Sequence, residues 1–232
     1  MDRIFATGDG LDGLRLAIAT MSVLVSVVYL RFAGQPASPL RAYLKTSAFG
    51  VLALLPLSFL SASTGPTTGL VSLAGALFLS ALGDWFLAAT DQRRYFVPGL
   101  VSFLLAHVVF VITFLPLASA PGAAELGVMG FTFGASGLLI WRLMPRLGSF
   151  RVPVIAYFLV INLMICVAVS SASMAGWVLG AGAILFAFSD SLIAIRKFLT
   201  PFRGIDVSVW ATYAVAQYMI CLAVLGAFLN LR

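Results

Sequence analysis

Two aspartates stand inside helix-length apolar runs of this chain. Asp190 lies in the middle of residues 182–198, Gly-Ala-Ile-Leu-Phe-Ala-Phe-Ser-Asp-Ser-Leu-Ile-Ala-Ile-Arg-Lys-Phe. Asp84 holds the matching place in Gly75–Ala88, Gly-Ala-Leu-Phe-Leu-Ser-Ala-Leu-Gly-Asp-Trp-Phe-Leu-Ala. In both, a small residue (Gly83, Ser189) precedes the aspartate, an apolar residue follows at +3 and an alanine at +4. A charge at membrane depth costs about 3 kcal/mol on insertion scales, so such carboxylates face a bundle interior or a wet cavity. Two like charges in one low-dielectric site do not both ionise readily, which gives a neutral acid beside an ionised base. That pair suits protonation of a substrate with activation of a water. It suits proton-coupled transport equally well, and the plainer alternative is a polar contact that only locks two helices.

Other polar side chains sit in apolar surroundings and are candidates for binding or support. His107 is the single histidine, and alone it reads as a satisfied interior residue; beside two carboxylates it becomes a candidate. Tyr213 and Gln217 are one helical turn apart and share a face, where they can hydrogen-bond a carboxylate, a substrate or another helix. Asn162 leans towards a structural role. Lys45 lies near a span end, where snorkelling to the interface is the default, with a lipid phosphate as the sharper alternative. Arg196 and Lys197 follow the same logic. The sequence carries no nucleophile elbow and no glycine-rich phosphate loop. Cys166 and Cys221 lie in apolar runs without CxxC spacing and read as small buried hydrophobes. One histidine falls short of the usual zinc ligand set. No metal and no cofactor is expected.

The elements that position these groups are membrane spans. Hydrophobic residues make up 62% of the 232 and charged residues 9%, with a mean hydropathy of +1.09. Soluble domains carry about 25% charged residues. The net charge of +6 is therefore a matter of topology, and nucleic acid is not an expected partner. At about 20 residues per crossing, eight spans fit, near 14–32, 43–61, 67–89, 96–117, 123–143, 152–170, 175–197 and 208–229. The expected fold is an all-α polytopic bundle of eight transmembrane helices forming one membrane domain, 1–232. The mixed-charge start (Asp2, Arg3, Asp9, Asp12, Arg15) is unlike a signal peptide, so the first run counts as a span.

Lysine and arginine alternate cleanly between loops. Arg31, Arg41 and Lys45 follow span 1; Arg93 and Arg94 follow span 3; Arg142, Arg146 and Arg151 follow span 5; Arg196, Lys197 and Arg203 follow span 7. The loops around Ser61–Thr67, Leu117–Ala123 and Ser170–Met174 have none. The positive-inside rule then makes the basic loops cytoplasmic and both termini external, with Arg3, Arg15 and Arg232 as mild exceptions. At 1.5 Å per residue, Asp84 lies about 13 Å from Arg93 and Asp190 about 9 Å from Arg196. Tyr213 and Gln217 lie roughly 8–14 Å deep, Asn162 about 15 Å and His107 about 17–20 Å. Five helices thus send polar groups towards the cytoplasmic half, and one shared polar cavity is expected there.

Gly127, Gly130, Gly134 and Gly137 fall on one face of span 5, and Gly176-x-x-x-Gly180 opens span 7; both are expected to be close-packing surfaces. A duplication over four spans also shows. Asp84 in span 3 pairs with Asp190 in span 7, and Ala106-His107 in span 4 with Ala216-Gln217 in span 8, as parallel repeats.

Four of these pieces resemble the YhhN-like membrane proteins, the family that includes the lysoplasmalogenases. They are Gly83-Asp84 with its apolar flanks, Phe103-Leu-Leu-Ala-His107, Phe188-Ser-Asp-Ser-Leu-Ile-Ala-Ile-Arg-Lys-Phe198 and Thr212-Tyr-Ala-Val-Ala-Gln217. Span number and length agree as well. Phe110 and Ala214 stand where aromatic hydroxyls are expected, and Ile193 where Leu is more usual; no candidate catalytic group is lost. The resemblance implies a membrane hydrolase, in a bacterial inner membrane, that cleaves the vinyl ether bond of lysoplasmalogens. Its products would be a fatty aldehyde and a glycerophosphoethanolamine or glycerophosphocholine. Asp84 and Asp190 would then divide acid and base work much as carboxyl pairs do in glycoside hydrolysis. Lys45 and Arg196 would receive the phosphate, and the partners would be a lysophospholipid and the bilayer. A proton-coupled carrier or lipid transporter using the same pair is the competing class. A purely structural membrane protein and a ceramidase-like zinc hydrolase rank below it.

Overall fold

A computed structural model describes residues 2–62, 67–89, 92–172 and 176–229. The side chains of residues 2, 3, 92 and 93 stand outside the description, as does Arg232, so the topology signal of Arg93 and Arg232 rests on sequence alone. The described residues form helices α1 (Asp12–Tyr29), α2 (Pro39–Leu52), α3 (Leu54–Leu57), α4 (Thr68–Ala88), α5 (Gln92–Phe114), α6 (Ala123–Leu143), α7 (Arg151–Val169), α8 (Gly176–Phe198) and α9 (Ile205–Phe228). Eight segments are long and apolar enough to cross a membrane, the second combining α2 and α3. This is the all-α polytopic architecture expected, with each expected span matched to within a few residues. Span 2 differs most. It starts at Pro39 because Ser38 accepts a hydrogen bond from the Arg41 N–H at 3.2 Å, capping the helix ahead of a proline at its first position. It breaks at Ala53 because Pro56 has no N–H for the Leu52 carbonyl and its ring crowds that carbonyl.

The helices group into two compact units. The first runs over residues 1–113 and takes in 221–232, the end of α9; the second covers 114–220. The described parts of the first unit therefore hold spans 1–4 and those of the second most of spans 5–8.

In the first unit α2 packs most extensively against α4 and α1. Ser22 of α1 donates to the Ala48 carbonyl of α2 at 2.6 Å, so a polar link fastens two apolar faces. Gly69 faces the Phe228 ring, where an added Cβ would come within 2.3 Å of it; only glycine fits this approach. At the start of α1 a cage closes around Arg15, whose side chain is fully buried. Its guanidinium donates to Thr7, Asp9 and Asp12 and to the Ser58 carbonyl at 2.8 Å, and lies 4.0 Å over the Phe59 ring. Asp12 in turn accepts the backbone N–H groups of Thr7 and Gly8, which folds the preceding loop back onto the helix.

In the second unit α7 packs on α8 and α6. α8 and α9 approach closely at Gly182, where a Cβ would lie 3.0 Å from Ile220 and 3.1 Å from Met219. Gly176 and Gly180 are close-packed as expected, against Ser171 and Val169 respectively. The span 5 glycines are not. Gly127, Gly130, Gly134 and Gly137 meet nothing within 4 Å of an added Cβ among the described residues, and α6 is the least buried span. The glycine pattern there marks an outward face of α6, since only one stripe of that helix is needed to cover α7.

Candidate active site

Each unit holds one of the two aspartates, and each aspartate is met by a side chain from the span that precedes its own. In the first unit Asp84 is fully buried, near the C-terminal end of α4. The ammonium of Lys45, on α2, lies 2.9 Å from Asp84 Oδ1. Lys45 is 12% exposed and Asp84 1% by side chain, so this is an interior ion pair. The snorkelling expected of Lys45 is replaced by an inward pairing, because a carboxylate at this depth supplies what water would at the interface. Trp85 of α4 and Tyr43 of α2 meet in an edge contact, with ring centroids 5.2 Å apart.

The residue before Asp84 sets the neighbouring helix. A Cβ on Gly83 would lie 2.6 Å from the Phe103 ring, so glycine lets α5 close in. One turn further along α5, fully buried His107 places Nδ1 2.5 Å from the Phe103 carbonyl. A carbonyl only accepts, so Nδ1 carries the proton and Nε2 is directed away from that helix turn.

In the second unit Asp190 is half-buried on α8. The phenol of Tyr157, on α7, donates to Asp190 Oδ2 at 2.6 Å. Tyr157 also lies within electrostatic reach of Tyr213 on α9. The Tyr213 ring stands edge-on to Phe186 of α8, centroids 5.2 Å apart, and its hydroxyl accepts from Gln217 Nε2 at 3.1 Å. Gln217 is fully buried, and its Oε1 has no hydrogen-bond partner among the described residues. Ser189, beside Asp190, donates to the Val209 carbonyl of α9 at 2.9 Å and ties the two helices together. Asn162 accepts from Ser136 of α6 at 3.3 Å and donates to the Phe158 carbonyl at 2.8 Å, a helix-linking arrangement in keeping with a supporting role. Arg196 pairs with Asp206 at the α8–α9 turn, so its guanidinium is already engaged by a carboxylate.

Within their own units, then, Asp84 comes together with Lys45, and Asp190 with Tyr157 and the Tyr213–Gln217 pair. Tyr157 was not among the residues singled out from sequence. Its signal is positional: it lies six residues past Arg151, and Asp190 lies six residues before Arg196. At about 9 Å from the basic end of each helix, they meet at one depth across a hairpin.

An eight-span helical membrane protein with an aspartate at depth in each half is the class that this fold and these side chains define. The sequence matches the YhhN family over residues 40–224, a stretch that includes both aspartates and all the partners named above. The chain belongs to the YhhN family. Among curated relatives, a protein of Mycobacterium bovis named lysoplasmalogenase is 38% identical over 153 residues, 64% of this chain and 58% of that protein. The human lysoplasmalogenase TMEM86B is 32% identical over 154 residues, 66% of this chain and 63% of the relative. The human lysoplasmalogenase TMEM86A is 34% identical over 157 residues, 63% and 62%. The matched stretch spans about three-fifths of the length of these relatives. No solved structure matches the chain.

Proposed function

We propose that this protein is a lysoplasmalogenase, hydrolysing the vinyl ether bond of lysoplasmalogens with Asp84 and Asp190 as its working carboxyl groups. The observation that carries this reading is that the family match encloses both aspartates while relatives from bacteria to human bear that one activity in their names. The chemistry fits the residue types. A proton is delivered to the alkene carbon remote from the ether oxygen, the adjacent carbon becomes an oxocarbenium, and a water adds to it. The resulting hemiacetal then breaks its bond to the glycerol oxygen, which takes a proton. The products are a fatty aldehyde and a glycerophospho-alcohol, glycerophosphoethanolamine or glycerophosphocholine. Two carboxyl groups supply the acid, the base and the negative charge that this sequence of steps needs.

The reading requires both carboxyl groups to serve one substrate molecule. It places the substrate phosphate at the basic ends of the helices, the cytoplasmic side of a bacterial inner membrane, with both termini external. Lys45 and Arg196 are each committed to a carboxylate, which weakens them as phosphate ligands. The test is incubation of the purified protein in detergent with a lysoplasmalogen. Free aldehyde is expected, with a loss of at least about 100-fold in Asp84→Asn and in Asp190→Asn. Proton-linked lipid flux in liposomes with no aldehyde released would replace the hydrolase by a carrier. A reporter fused to Arg232 and found in the cytoplasm would overturn the orientation.

A further inference from the structure

We propose that Tyr157 is the positioning residue for Asp190, fixing the plane of the reacting carboxyl through its hydrogen bond to Oδ2. The inference rests on the hydrolase reading for what Asp190 does, and on the structure for how it is held. Three observations carry it. The O–H···O separation of 2.6 Å falls in the short range typical of hydrogen bonds to carboxylates. Tyr157 and Asp190 come from adjacent helices at one depth, so the bond is made between two rigid elements and not within a loop. Both residues are partly exposed where Asp84 is fully buried, so Tyr157 holds the less buried of the two aspartates.

A carboxyl with a rotatable side chain in an apolar span samples several orientations, and a hydroxyl donor on one oxygen selects among them. Further along α7, Asn162 accepts from Ser136 of α6, a bond that ties the helix carrying Tyr157 to its neighbour. A phenol left at this depth without an acceptor would be costly, so the bond is favourable from both ends.

The test is Tyr157→Phe, which keeps the ring and removes the donor. Turnover should fall by roughly tenfold or more, the scale of one lost hydrogen bond to a charged group, while KM stays within about twofold, since substrate binding is left intact. The pH–rate profile should be displaced from that of the wild type, and Tyr157→Phe should cost nothing further in an Asp190→Asn background. A second readout needs no turnover: labelling of Asp190 by a hydrophobic carbodiimide at fixed pH, read by peptide mass with Asp190→Asn as the blank. Losing the donor should change that labelling rate several-fold. Wild-type kinetics and wild-type labelling in Tyr157→Phe would overturn the proposal, as would altered labelling with unaltered turnover. If the wild type releases no aldehyde yet labelling responds to Tyr157→Phe, the positioning stands and the hydrolase reading fails.

Discussion

The two halves of this chain are built on one plan and differ in the partner given to the aspartate. In each, the aspartate stands in the C-terminal half of its span, and its partner in the N-terminal half of the span before. In each, the next helix carries a fully buried polar side chain bonded one turn back along the same helix: His107 to the Phe103 carbonyl, Gln217 to the Tyr213 hydroxyl. One of these bonds ends on the backbone and the other on a side chain. Yet Asp84 receives an ammonium and Asp190 a phenol. Burial accounts for the difference. A fully buried carboxylate leaves a large desolvation penalty that an opposite charge offsets, whereas a half-buried one needs only a donor. The first arrangement sets charge against charge, and the second gives the carboxyl a neutral donor.

The sharpest way to break this comparison is to remove Lys45. Lys45→Met strands Asp84 as an uncompensated buried charge and should destabilise the protein by about 3–5 kcal/mol, read by chemical or thermal unfolding in detergent. Adding Asp84→Leu should restore much of that loss, because apolar packing replaces a buried ion pair well. A double variant as unstable as the single one would show that Lys45 acts through packing and not charge. Next comes the contrast between the two asparagine variants. Sequence alone expects both folds to survive, since Asn keeps the shape and removes a costly charge. The Lys45 pair changes that expectation: Asp84→Asn strands the ammonium and should lower stability as well as turnover. Asp190→Asn should lower turnover by a similar factor with little loss of stability. Equal melting points for the two would erase the proposed distinction.

Smaller effects sharpen the picture. Ser189→Ala removes a bond between α8 and α9 and should cost about 1 kcal/mol, with turnover reduced less than in Tyr157→Phe. The smallest concerns Asp9, whose carboxyl the Arg15 guanidinium holds well below the usual carboxylate range, helped by the Leu11 N–H. A depressed folded value contributes stability above the ordinary carboxylate range and loses it only as pH falls through the depressed value. Asp9→Asn should therefore lower the melting temperature slightly and by the same amount between about pH 5 and 8, the gap closing only in stronger acid.

Much of this was legible in the sequence. Eight spans follow from hydropathy because a lipid-facing helix must be apolar over its full length. The aspartates announced themselves because a carboxylate in such a run has few innocent explanations. Their partners did not. Lys45 looked like an interface lysine, since a long cation near a helix end has a cheap default and its inward turn depends on a carboxylate in the following span. Tyr157 was hidden among 19 Phe and 6 Tyr, in a chain where aromatic rings mostly pack; only its depth relative to Asp190 distinguishes it. The glycines of span 5 misled because a small-residue stripe states what could approach, not what does. The break in span 2 needed attention to Pro56 as a missing donor and not as a loop marker.

The Arg15 cage has a consequence for how the chain enters its membrane. Asp9, Asp12 and Thr7 emerge from the ribosome before Arg15, so the cation meets its counter-charges as soon as it is made. The local segment then presents little net positive charge to the insertion machinery. Its remaining ligand, the Ser58 carbonyl, lies 43 residues downstream. The clasp therefore closes only after the second span has been synthesised and has folded back beside the first, which makes completion of this ion cage a marker of hairpin insertion during translation.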